Sequence, residues 1–208
     1  VRAWADYLDD LGAFMGHLRS QEPPGTPIFL YGHSFGGALV LEYGLRRPEG
    51  VAGVVASAPS LVPSGVRSPA LEALARALSR VWPTFSLPLP LETAAVSRSP
   101  EIVASYRTDA LNHLHISART AGESLTAFAW TMANASSWRL PLLVIHGGAD
   151  RIIDPEGSRA FVTAARGGGA TDVELRVFEG GYHEPHNDIE AERVMADVAD
   201  WLERHLPA

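Results

Sequence analysis

Four short apolar runs constrain this chain more than any other feature: TPIFLYG (26–32), VAGVVASAP (51–59), LPLLVIHGG (140–148) and VELRVFEGG (173–181). Runs of Val, Ile and Leu with little polar alternation read as strands covered on both faces. Helical stretches separate them: GGALVLEYGLRRP (36–48), stopped by Pro48, then EGSRAFVTAARGGG (156–169) and EAERVMADVADWLERHL (190–206). Strands that alternate with helices predict the α/β class, a mostly parallel sheet flanked by helices. The first residues, VRAWADYLDDLG, already follow a helical pattern, with Trp4, Leu8, Leu11 and Met15 on one face. The chain thus starts inside an element, and upstream sequence is expected to be missing.

Between residues 59 and 139 the alternation stops. The stretch reads as helical but is broken by WPTFSLPLPLE (82–92), whose prolines cannot continue a helix. The expected organisation is a first core part over 1–58, a helical cap or lid insertion over 59–139 and a second core part over 140–208. Within the insertion, LEALARALSRVW sets Leu71, Leu74, Leu78 and Val81 on one stripe; Trp82, Phe85, Leu87, Leu89 and Leu91 follow with no charge before Glu92. The stripe either packs the insertion onto the body or lines an acyl tunnel and dips into a lipid interface, a setting that suits the interspersed Arg76 and Arg80. Phe128, Trp130 and Met132 have the same two readings, and His113 and His115 are further candidates to line a pocket.

Composition excludes several functions. With 17 Lys+Arg against 24 Asp+Glu the formal charge is −7, and no basic block is present to neutralise a phosphate backbone, so nucleic acid is not an expected partner. No cysteine is present, which excludes disulfides and thiolate metal sites. No apolar run approaches the roughly 20 residues of a membrane span. At 208 residues and 46% hydrophobic, the chain suits one domain with a substantial core.

The segment LYGHSFGGALVLEYG (30–44) holds Ser34 in a G-x-S-x-G pattern where strand gives way to helix. The pattern alone arises by chance in roughly one chain in fifteen of this length, so its context decides. A buried strand, a turn too tight for side chains at Gly32 and Gly36, and an immediate helix form a nucleophile elbow, which projects the Ser34 hydroxyl and aims the Phe35 N–H at a developing oxyanion. The alternative is a serine that caps the helix. A nucleophilic serine needs a base, and the base an orienting acid, each at the carboxyl end of a later strand. LPLLVIHGGAD ends at Asp150 and VELRVFEGGYH at His183, in the order Ser, Asp, His. Asp154 competes with Asp150 but precedes Pro155 and reads as a helix N-cap. His186 competes with His183 but falls nearer the last helix. HEPHND (183–188) lacks a matching second ligand cluster, so neither a metal nor another cofactor is expected. His33 is expected to point away from the nucleophile and pack; His17, His146 and His205 read as a helix-face, a strand-end and a terminal surface residue.

Three motifs in order, GHSFGGALVLEYGLRRP (32–48), PLLVIHGGADRIIDPEGSRAF (141–161) and FEGGYHEPHND (178–188), resemble the monoacylglycerol lipase branch of the α/β-hydrolase superfamily, often grouped with serine aminopeptidase-like hydrolases. The likeness covers essentially the whole chain, and SPEIVASYRTDALNHLHISART (99–120) resembles that branch's cap segment. The resemblance implies an α/β-hydrolase fold with a mobile cap over an acyl pocket. It makes Ser34 the nucleophile, Asp150 the acid and His183 the base. It further implies a lipid ester substrate, monoacylglycerol first, and transient contact of the cap with a membrane surface; the expected setting is cytoplasmic or peripheral at a membrane. Lysophospholipase, other carboxylesterase and aminopeptidase activities share such a triad. One departure stands out: members of the branch take a second oxyanion N–H from a His-Gly loop upstream of the elbow, and no segment before Ser34 resembles it. Leu30–Ser34 would be the family's fifth strand, so the first four are expected to be absent, and a truncated, inactive chain is the remaining alternative.

Overall fold

The computed structural model describes residues 2–62, 69–89 and 91–207; at Pro69, Leu71 and Leu87 only the backbone is described, so two members of the apolar stretch, Leu71 and Leu87, lie outside the described side chains. In chain order the elements are α1 (Trp4–Gln21), β1 (Phe29–His33), α2 (Phe35–Arg46), β2 (Gly53–Ser57), α3 (Pro69–Val81), β3 (Ser86–Pro88), α4 (Pro100–Thr108), β4 (His115–Ser117), α5 (Ala118–Ala133), β5 (Leu142–Gly147), α6 (Pro155–Gly167), β6 (Val173–Phe178) and α7 (Ala191–Arg204). The strands β1, β2, β5 and β6 pair in that order, all parallel, in agreement with the α/β expectation.

The two central strands, β2 and β5, are buried at every residue. Successive side chains of a strand point to opposite faces, and the core divides accordingly. Val54, Ala56, Leu142 and Val144 share one cluster with Leu41, Trp138 and Phe161. Val55, Leu143 and Ile145 meet Val194, Val198 and Trp201 of α7 on the other face. This is why these strands carry no polar alternation. Trp4, Leu8 and Met15 of α1 are buried in the first cluster, with Leu11 packed beside them.

Helix starts follow local chemistry. Ser99, Ser117 and Asp154 each accept a backbone N–H from the first turn of α4, α5 and α6, and proline occupies the first turn of α4 and α6. Asp154 thus caps α6, as its place before Pro155 predicts. The proline-rich stretch, predicted only as a helix breaker, also supplies β3, which pairs antiparallel with β4. Along α3 the apolar stripe divides: Leu78 is half-buried, whereas Leu74, Val81 and the adjoining Trp82 are 54%, 81% and 58% exposed. Packing onto the body therefore accounts for only part of that stripe. Residues 59–139 meet the body at several points: Leu61, Ala127, Phe128, Ala135 and Trp138 are buried in the first cluster, and Ala95, Val96 and Ser97 are buried beside the loop after β6. Among the described residues, no helix is long and apolar enough to cross a membrane.

Candidate active site

β1 delivers Ser34 to a sharp turn in which its φ is 53°, in the left-handed region that non-glycine residues rarely adopt. Backbone bonds hold it there: Ser34 N–H donates to the Ser57 carbonyl at 2.8 Å, and the Ser34 carbonyl accepts from Ala38 and Ser60 N–H at 3.1 and 2.9 Å. A Cβ at residue 32 would meet the Gly36 backbone and stand 2.8 Å from Val40 Cγ2, so glycine is required at Gly32. Gly36 is different. A Cβ there meets nothing within 4 Å, and the crowded neighbour is Gly37, 2.9 Å from Pro59 Cα. The expectation of a turn too tight at Gly36 is therefore corrected; the helix approaches the loop after β2 one residue later.

The Ser34 hydroxyl makes no capping bond to α2, which disposes of the helix-cap alternative. It lies 3.0 Å from His183 Nε2 and 3.2 Å from Ser60 Oγ. His183 Nδ1 in turn lies 2.7 Å from Asp150 Oδ2. The structure thus brings together the three residues that the sequence points to, in one line of hydrogen bonds. Phe35 opens α2, where the first N–H groups have no intrahelical acceptor. Its ring is enclosed by Trp4, Tyr7 and Phe128 at centroid separations of 5.0, 5.3 and 6.3 Å.

Asp150 is nearly buried, and its other oxygen accepts from Ile152 and Ile153 N–H at 2.8 and 3.0 Å. Burial opposes its ionisation, but hydrogen bonds from His146 and His183 outweigh burial and hold the carboxyl well below the usual carboxylate range. It is therefore ionised at neutral pH. The loop that carries His183 is tied to the insertion: His183 and Glu184 N–H donate to the Ala95 and Val96 carbonyls at 3.3 and 2.8 Å. Beneath it, buried Asp188 accepts from Tyr182 N–H at 2.9 Å, Arg98 N–H at 2.8 Å, Arg98 Nε at 2.7 Å, Ile189 N–H at 2.9 Å and Ser97 Oγ at 3.3 Å.

Three further residues stand beside this line. His33 packs against the ring of His183 at 4.8 Å, with Nδ1 3.1 Å from Ser57 Oγ. Burial, reinforced by the imidazoles of His183 and His186, lowers its pKa to about 3, so it is neutral beside His183. His146, read as a simple strand-end residue, is fully buried against Asp150. Ser60, to which the sequence draws no attention, touches the Ser34 hydroxyl. His186 meets His33 edge-to-face at 4.7 Å, with Nδ1 3.5 Å from Ser57 Oγ, and so faces a different partner from His183. His113 and His115 are exposed on the insertion, while Trp130 lies beneath the Arg46 guanidinium.

Comparison with known proteins places these observations in a family. The family described as serine aminopeptidase, S33, matches residues 1–190. A monoacylglycerol lipase of Mycolicibacterium smegmatis is 34% identical over 208 residues, 99% of this chain and 72% of that protein. The crystal structure of a Paleococcus ferrophilus monoacylglycerol lipase superposes with a TM-score of 0.87 at 32% identity, over 96% of this chain and 74% of the other. A soluble variant of the Saccharomyces cerevisiae monoglyceride lipase, solved with a substrate analogue, gives a TM-score of 0.88 at 22% identity over 100% and 72%. That last likeness bears on the fold alone.

Proposed function

Because the chain belongs to the serine aminopeptidase S33 family of hydrolases and has the α/β-hydrolase fold, we propose that it cleaves carboxylic esters of lipids through an acyl-enzyme on Ser34, with monoacylglycerol as substrate. The observation that carries this reading is the line from Ser34 Oγ to His183 Nε2 at 3.0 Å and from His183 Nδ1 to Asp150 Oδ2 at 2.7 Å. In the proposed reaction His183 Nε2 takes the Ser34 proton as Oγ attacks the ester carbonyl, and the Phe35 N–H receives charge on the carbonyl oxygen. Ionised Asp150 stabilises the imidazolium that results. The imidazolium returns the proton to the leaving glycerol oxygen, and water then repeats the sequence on the acyl-enzyme to release fatty acid. Every proton step runs through groups present in the chain.

Relatives named as monoacylglycerol lipases support the lipid substrate. An aminopeptidase would need carboxylates gathered to hold an ammonium group, and three of the cap's acids are engaged elsewhere. Glu92 pairs with Arg151 at 2.9 Å, Glu123 with Arg119 at 3.6 Å, and Asp109 accepts from Leu111 N–H at 2.8 Å. The exposed Leu74, Val81, Trp82, Leu111 and Leu114 of the cap form the surface that we assign to contact with lipid.

The testing experiment is reaction with a fluorophosphonate probe, mass-spectrometric mapping of the adduct, and turnover of monoacylglycerols alongside lysophospholipids and aminoacyl amides. Label at Ser34 with monoacylglycerol turnover is the expected result; an unlabelled folded chain, or turnover confined to amides, rejects the reading. Replacing Val81 and Trp82 together by serine is expected to slow hydrolysis of vesicle-borne monoacylglycerol about tenfold, the equivalent of about 1.4 kcal/mol of apolar burial. Hydrolysis of a soluble short-chain ester serves as the control and should not change.

A further inference from the structure

His146 is the penultimate residue of β5 and is fully buried, four residues before Asp150. Its Nε2 faces two acceptors, Asp150 Oδ2 at 3.1 Å and the Ile153 carbonyl at 3.3 Å. A bare ring nitrogen there would bury lone pair against lone pair, so Nε2 carries a proton and donates it. The other nitrogen, Nδ1, lies 2.8 Å from Ser158 Oγ on α6, whose hydroxyl can donate to Nδ1 while Nε2 donates to Asp150. Asp150 then has four donors: Ile152 and Ile153 N–H on Oδ1, and His183 and His146 on Oδ2. Of the two donors on Oδ2, His146 comes from β5 itself and His183 from the loop after β6, and the four together hold the orientation of the carboxylate.

We infer that His146, with its tautomer fixed by Ser158, is a positioning residue that holds Asp150 in the rotation which presents Oδ2 to His183 Nδ1. The inference rests on the assignment of Asp150 and His183 as acid and base made above. His146 touches neither Ser34 nor the space above it and acts through Asp150. Without its donor, Oδ2 has one partner rather than two, and only the Ile152 and Ile153 N–H groups on Oδ1 oppose a turn away from His183 towards the pocket left behind. The base would then lose the fixed Nδ1–H tautomer that keeps Nε2 available to Ser34.

The test uses the full chain with ¹⁵N-labelled histidine as wild type, His146→Leu, His146→Gln and Ser158→Ala. Each is assayed for kcat and KM on a soluble p-nitrophenyl ester, for melting temperature, and by NMR for the low-field proton on His183 Nδ1, whose position reports its bond to Asp150. In His146→Leu kcat is expected to fall by up to about 10²-fold, the scale of a misplaced catalytic group, with KM little changed and the low-field resonance shifted or lost to exchange. His146→Gln, whose amide N–H replaces the donor, should recover both. A space-filling role would lower the melting temperature but leave the resonance in place. The inference is overturned by a folded His146→Leu with unchanged kcat and resonance, or by a folded His146→Gln as impaired as the leucine variant. Should His146→Leu not fold, Ser158→Ala decides, since it leaves the imidazole in place: a displaced resonance supports the inference and an unmoved one overturns it. Failure of the esterase reading shows separately, as a wild-type chain that neither takes the probe at Ser34 nor turns over ester; the resonance decides the role of His146 even then.

Discussion

His183→Ala is expected to lower kcat by about 10⁶-fold and Asp150→Asn by about 10⁴-fold, with KM for a soluble ester nearly unchanged. The two losses differ because the two residues fail differently. Without His183 the Ser34 hydroxyl has no group at 3.0 Å to take its proton. With asparagine at 150 the imidazole remains, but an amide can donate to His183 Nδ1 where the carboxylate accepts. The ring then carries its proton on Nε2, the nitrogen that faces Ser34, and cannot serve as a base. Initial rates on an ester, together with the second-order rate of fluorophosphonate labelling, read both effects. The double variant should be no slower than His183→Ala alone, since groups that act as a unit do not lose activity additively. Labelling of His183→Ala at the wild-type rate would be incompatible with the proposed mechanism.

Asp188→Ala is expected to cost about 3–5 kcal/mol of stability, the range for a buried charged group whose partner is left behind. Five hydrogen bonds end on this carboxylate, from the insertion at Ser97 and Arg98 and from the base loop at Tyr182 and Ile189. Arg98 would retain Glu190 at 3.1 Å but lose its buried partner. The loss should also depend on pH. Burial raises the Asp188 pKa, but the bonds from Tyr182 and Arg98 outweigh it, and the folded pKa lies below the usual value. A carboxyl depressed on folding contributes stability above its unfolded pKa, near 3.9, and that contribution fades as pH falls from about 5 through the folded value. Denaturant unfolding across that window should therefore show the gap between wild type and Asp188→Ala narrowing towards acid. A gap independent of pH would mean that shape rather than charge matters at this position.

The strand ends that carry Ser34, Asp150 and His183 can be read from the chain because each coincides with glycine or proline punctuation after an apolar run, a signal local to a few residues. What surrounds them cannot be read in that way. His146 gains its Nδ1 partner only when α6 folds back to bring Ser158 beside β5, and His33 meets His183 only through the parallel register of β1, β2, β5 and β6. Gly36 and Gly37 are equivalent in sequence; the position of Pro59 after β2 decides which one is crowded. The β3–β4 ribbon spans three residues a side, too short for alternation to register, and proline at 88 argues against a strand. Exposure along α3 is likewise invisible to periodicity, which finds a stripe but not what covers it.

Asp150 and His183 are carried by neighbouring strands whose loops are fastened together. Gly148 and Ala149 N–H donate to the Phe178 and Gly181 carbonyls at 2.8 and 2.9 Å. Ser34 arrives on β1, and β2 stands between, bonded to the elbow through the Ser57 carbonyl and to β5 through the Ala58 N–H. On the proposed mechanism, proton handling is thus one preassembled unit, the nucleophile a separate one, and a single strand the spacer that sets the distance between them.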